Sequence, residues 1–148
     1  MMKQLLFIGF TLFSAAFVNA QDCEAIVRNC ETLLNKDTKG SQFISDGQVY
    51  TAFLDREKAE FKTTFFGGST YRIAASAGAN EDYVIFTIKD LQGNILFSNK
   101  NYKNAPYWDF KVNQTLPVTI QTELDLDLKV TGCVVMMIGL KNKFRNRI

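Results

Sequence analysis

Between Leu116 and Val130 apolar side chains recur on even positions: Leu116, Val118, Ile120, Leu124, Leu126, Leu128 and Val130, with polar residues on nearly every odd one. A period of two sets these residues on one side of a pleated strand. The stretch therefore predicts a half-buried strand with one wet face, broken by a turn near Asp125–Lys129. The same period governs most of the chain from Gln42 onward. "QFISDGQVYTAFL" is interrupted by the turn residues "SDG" at 45–47, and "AEFKTTFF" alternates Phe61, Thr63 and Phe65 against Glu60, Lys62 and Thr64. Gly67 and Gly68 turn the chain into "STYRIAAS", the 77–82 stretch reads as loop, and "LQGN" joins "YVIFTIKD" to "ILFSN". A longer loop, "KNYKNAP", leads into "YWDFKV". The closing run "GCVVMMIGL" is apolar at almost every position, the pattern of a strand buried on both faces.

Ahead of these strands the period changes. In "DCEAIVRNCETLLNK", residues 22–36, Cys23, Ile26, Val27, Cys30, Leu33 and Leu34 follow three-four spacing and form one helical stripe. Asp22 suits the cap, Glu24 the positive end of the helix dipole, and Lys36, Lys39 and Gly40 the exit. A helix this short needs a surface to lie on. About eight short strands with Gly, Asn and Asp turns predict a mainly β fold: an antiparallel, jelly-roll-like β-sandwich at 41–140, preceded by an amphipathic helix at 21–40. No internal repeat and no linker suggests a second domain.

The glycine turn, aromatic strand and Asp-x-x-Gly turn in "GGSTYRIAASAGANEDYVIFTIKDLQGNILFSN" resemble the central hairpins of bacterial pre-peptidase C-terminal modules, which are small secreted jelly rolls. "FISDGQ", "FFGGSTYRIA", "YWDF" and the final "GCVVMMIG" are similar to uncharacterised secreted β-sandwich proteins of Bacteroidota. These resemblances imply a fold and a compartment, and they bring no catalytic residue to carry over. The helix and its two cysteines depart from the pre-peptidase pattern.

Residues 1–20 change the compartment. Lys3, the apolar run "LLFIGFTLFSAAFV" and the small residues of "VNA" predict a signal peptide cut after Ala20, and a periplasmic or secreted product. The run is shorter than the roughly 20 residues that span a bilayer, so no transmembrane segment is expected in the mature chain. Losing Lys3 takes the basic residues from 17 to 16 against 15 acids, a balance that offers nucleic acid no partner. The chain has no histidine, so the commonest general base and metal ligand are missing together.

In an oxidising compartment three cysteines allow one disulfide and one spare thiol. On one helix Cys23 and Cys30 stand roughly 10 Å apart, too far for a bridge. Either one can reach Cys133; a Cys30–Cys133 bridge is the pairing to test, with three free buried thiols as the alternative.

Strand alternation sorts "YWDFKV" into Trp108, Phe110 and Val112 facing the core, and Tyr107, Asp109 and Lys111 facing out. Tyr107 and Asp109, with Tyr102 from the preceding loop, form the candidate ligand patch, for an unidentified protein or glycan. Asp46, Asp82, Asp90 and Asp109 sit at turns or strand ends, where carboxylates usually bond local amides. A small hydrolase built on two convergent carboxylates is the competing class. An assembly subunit that pairs through a sheet edge is a third. "GANED" and "KDLQGN" carry oxygen ligands without the spaced acids of a calcium loop, so no cofactor or metal is expected. The tail at 141–148 is basic, through Lys141, Lys143, Arg145 and Arg147. With Trp108 in the core, its fluorescence is expected to be blue-shifted and poorly quenched by iodide; free quenching would overturn that assignment.

Overall fold

A computed structural model describes residues 23–36, 38, 42–78 and 82–141. The signal peptide at 1–20, the Asp22 cap and the basic tail beyond Lys141 lie outside the described residues. The elements run α1 (Cys23–Leu34), β1 (Phe43–Ser45), β2 (Tyr50–Asp55), β3 (Lys58–Phe65), β4 (Ser69–Ser76), β5 (Val84–Lys89), β6 (Ile95–Ser98), a 3₁₀ turn at Asn99–Tyr102, β7 (Tyr107–Val112), β8 (Leu116–Leu124) and β9 (Thr131–Lys141).

The strands form two antiparallel sheets. One runs β1-β9-β4-β7, with β2 also on β9, and the other runs β3-β8-β5-β6. The pairing is nested. β2 pairs with β9, β3 with β8, β4 with β7 and β5 with β6, as in a single long hairpin. Rolling that hairpin on itself adds the β4–β9 and β5–β8 ladders. The result is the jelly-roll form of the β-sandwich expected from the turn spacing. "SDG" does divide β1 from β2, with Gly47 at φ 87 and the Gln48 amide donating to Asp46 Oδ1 at 2.9 Å.

The core lies between the sheets: Ile73, Phe86, Val118, Ile120 and Met136 are its largest fully enclosed apolar side chains. A second apolar layer lies on the outer face of the first sheet, where α1 packs Ile26, Cys30 and Leu34 against Ala74, Cys133, Val135 and Met137. This explains the uninterrupted "GCVVMMIGL". Its even residues Val134, Met136 and Ile138 face the sandwich and its odd residues face the helix. Each fully buried Ile or Leu of the helix contributes on the order of 1.5–3 kcal/mol, the reason a helix of 12 residues holds. Where α1 and β1 converge on β9 the strand carries Gly139, and a Cβ there would meet Leu34 Cδ1 at 2.8 Å and Phe43 Cβ at 2.9 Å.

The even pattern of β8 runs on past its end. Leu126, Leu128 and Val130 keep the period but lie beyond the strand and are exposed. The amides of Leu128 and Lys129 both donate to the Asp125 carbonyl at 2.9 Å, closing the turn. Trp108 faces the sandwich and is half-buried rather than enclosed, covered by Tyr102 at a ring separation of 4.3 Å.

The disulfide joins Cys23 to Cys133, not Cys30 to Cys133. Cys23 opens the helix at the level where β9 begins, whereas Cys30 sits two turns further on. There the Cys30 thiol donates to the Ala74 carbonyl at 3.2 Å. Burial pushes the Cys30 thiol from 9.0 up to about 12. Between those values the folded state keeps a proton that the unfolded state loses. Its contribution is therefore complete below about pH 9 and is lost as pH rises toward 12. Alkylation without reductant is expected to add one adduct after denaturation and none to the native protein. Cys133→Ser, which opens a loop spanning 110 positions, is expected to cost about 2–5 kcal/mol in urea unfolding.

Candidate functional site

Of the candidate patch, Tyr107 and Asp109 come together on the outer face of β7, and Tyr102 lies on the opposite face against Trp108 and Phe97. The register explains the first pair. Asp109 stands opposite Arg72 of β4, and Tyr107 opposite Ala74. Arg72, only 1% exposed, donates through Nε to Asp109 Oδ1 at 2.7 Å and through Nη2 to Oδ2 at 3.0 Å. Its Nη1 donates to the carbonyls of Leu33 and Leu34, each at 3.3 Å, and of Lys36. These carbonyls lie at the C-terminal end of α1, where intrahelical donors run out and a cation is favoured by the helix dipole; that of Leu33 also accepts from the Lys36 amide at 3.2 Å. The guanidinium carbon lies 4.5 Å from the centre of the Phe43 ring and 4.4 Å from that of Tyr107. What this geometry gives Tyr107 and Asp109 to do is hold Arg72.

The four carboxylates are similarly engaged or dispersed. Asp46 accepts from Gln48 N and from Tyr50 Oη at 3.4 Å. Asp90 accepts from the Asn94 side chain and from the amides of Gln92 and Asn94, and the Asn94 side chain foremost holds its carboxyl below the usual value. Asp90 thus spends its oxygens within "KDLQGN" itself. Asp82 is exposed, and its carbonyl accepts from Asn104 Nδ2. Most of "GANED" falls outside the described residues. Among the described residues no group of three or more Cys, Asp or Glu is placed to hold a metal ion.

An open apolar cleft lies elsewhere, along the seam between β1 and β2 of one sheet and β3 of the other. Its volume is about 590 Å³, and it is walled by Ile44, Tyr50, Phe65, Phe66, Ile138 and Leu140, with Asp46, Gln48 and Lys141 also on its lining. Ile44, Phe66 and Leu140 are 55%, 61% and 40% exposed, so this wall is wet in the isolated chain. Tyr50 stacks on Phe61 at 4.0 Å. It also borders a smaller cavity of about 150 Å³, into which Thr122 is set. Thr122 Oγ1 is buried without a hydrogen-bond partner among the described residues. Burial first, and then the charge of Asp46, raise the Tyr50 phenol above its ordinary value. A charged depression at Glu123–Asp127 is different in kind: Lys58 on its wall is paired with Glu123 at 2.9 Å.

Periodicity does not reveal the cleft, because its exposed apolar residues come from separate places in the chain: Ile44 from the three-residue β1, Phe66 just past β3, and Leu140 near the end of β9. One signal was available. In "AEFKTTFF" the inward residues are Phe61, Thr63 and Phe65, so Phe66 is a surplus aromatic with no core position to fill.

No protein-family model and no curated protein matches the chain. Among solved structures it is similar to PliG of Aeromonas hydrophila, a periplasmic inhibitor of g-type lysozyme. The likeness covers 69% of this chain and 89% of that one, at 10% identity and a TM-score of 0.46. A likeness of that order does not bear on what this chain binds.

Arg72→Ala is expected to be destabilising, because it empties a buried position between the Phe43 and Tyr107 rings and takes a donor from the carbonyls at the end of α1, whereas Asp109, 44% exposed, is left to water. In urea unfolding, Arg72→Ala with Asp109→Ala is expected to cost clearly less than the two single changes added. Strict additivity would show the pair to be uncoupled.

Proposed function

We propose that the chain is an exported, non-catalytic binding module that holds apolar side chains of a protein partner in the cleft between β1 and β3. The observation that carries this reading is a wall of exposed Ile44, Phe66 and Leu140 leading into enclosed Phe65, Tyr71 and Ile138. Monomeric surfaces rarely leave such a set open without use. Concave apolar sites rimmed by a few polar groups are the usual form of a binding site. Export is supported by the apolar N-terminal run and by the Cys23–Cys133 bond, which suits an oxidising compartment. The hydrolase reading has less to stand on, since Asp46, Asp90 and Asp109 are each engaged within separate local structures.

Site-specific photo-crosslinking tests the proposal. A benzophenone amino acid at position 66 is expected to trap a discrete protein partner in the host envelope. The same group at Leu91, 63% exposed on the β5–β6 turn, is expected to trap none. Equal yields from both positions, or none from position 66, would refute the assignment of the cleft. Phe66→Asp should abolish the adduct formed from a second probe at position 140 without lowering stability.

A further inference from the structure

The second sheet ends on β3, which pairs with β8 along one side. In an antiparallel ladder alternate residues direct their N–H and C=O to the neighbour and the others point away. Along Lys58–Phe65 no backbone hydrogen bond other than those of the β8 ladder occurs among the described residues. That leaves an open edge of eight residues, twice the length of β6 at the other end of the sheet. Natural proteins seldom leave an edge of this length without covering it or blunting it with charge.

Charge is present here, and its order is informative. On the outer face of β3 stand Lys58, Glu60, Lys62 and Thr64, all exposed; on the inner face stand Ala59, Phe61, Thr63 and Phe65. If a second copy pairs antiparallel about a two-fold axis, directly opposed residues share a face and their numbers sum to twice the central position. With Phe61 at the centre the sum is 122. Glu60 then faces Lys62 of the second copy, Lys62 faces its Glu60, and Lys58 faces Thr64. With Lys62 at the centre, Lys62 faces Lys62. With Glu60 at the centre, Glu60 faces Glu60 and Lys58 faces Lys62. The two best-overlapping registers pair residues 58–64 or 59–65, and of these only the first sets opposite charges together. It also brings the half-buried Phe61 against its own copy, beside the Tyr50 ring it already stacks on. β7, one edge of the other sheet, is two residues shorter than β3, and its Asp109 is bound to Arg72.

We infer that two copies of this chain join edge to edge through β3, antiparallel about Phe61, so that the four-stranded sheets of both form one continuous sheet of eight strands. The inference does not rest on the cleft as a partner site.

The test is sedimentation of wild type and surface-charge variants, all at residues exposed on β3. Wild type is expected to sediment as a dimer. Glu60→Lys and Lys62→Glu each oppose like charges twice per dimer, and are expected to raise the dissociation constant roughly tenfold or more. Mixed in equal amounts, the two single variants are expected to form a heterodimer, since each supplies the charge the other needs. The double variant, with the two charges exchanged, is expected to recover the homodimer. A monomeric wild type would overturn the inference. So would a dimer indifferent to Glu60→Lys, or single variants that stay monomeric when mixed.

Discussion

A guanidinium that is 1% exposed must find a partner for every donor or leave the interior, and the helix-bearing side of this protein is arranged around that demand. Arg72 draws on α1 for carbonyls, on β7 for a carboxylate, and on β1 and β7 for the rings of Phe43 and Tyr107. Neither a helix C-terminus nor a short strand such as β1 is secure alone. Here each supplies something the buried cation requires, and the cation in turn satisfies acceptors that a free helix end would leave to water. The interaction is specific because the carboxylate fork, the two rings and the helix end meet at one position only.

The second constraint is two-sided burial. β9 lies under α1 and over the sandwich, so both its faces must be apolar, and its neighbour β4 must carry small residues such as Ala74 and Ala75 where layers approach. Gly139 marks the tightest point of the same contact. With these faces filled, apolar surface is still left open at the seam between the two sheets, where edge strands do not cover the core completely. The cleft bounded by Ile44, Phe66 and Leu140 lies at that seam, so the fold itself determines where this apolar surface opens.

Local pattern made much of the architecture legible. Alternation identified the strands, three-four spacing identified α1, and "SDG" and "LQGN" marked turns where the chain does turn. Nonlocal facts were harder to read. Tyr107 and Asp109 face outward from their strand, as alternation requires, yet Arg72 and Phe43 lie against them, and nothing local announces a cation from another strand. Cys23 and Cys30 are equivalent on a helical stripe, and only the position of β9 beneath the helix decides which reaches Cys133. The turn expected near Asp125–Lys129 is present, and Leu126 and Leu128 keep the strand period through it because period alone carries no information about where pairing stops.

The Cys23–Cys133 bond closes a ring around nearly all of the described fold, with every strand before β9 inside it. A protease that cuts one loop between those cysteines therefore releases nothing: both pieces stay joined by sulfur, and the nested ladders still hold them in register. In an extracellular setting, rich in proteases and poor in reductants, such a nicked molecule would keep its mass and its shape. The cut would become visible only when the disulfide is reduced and the chain unfolded.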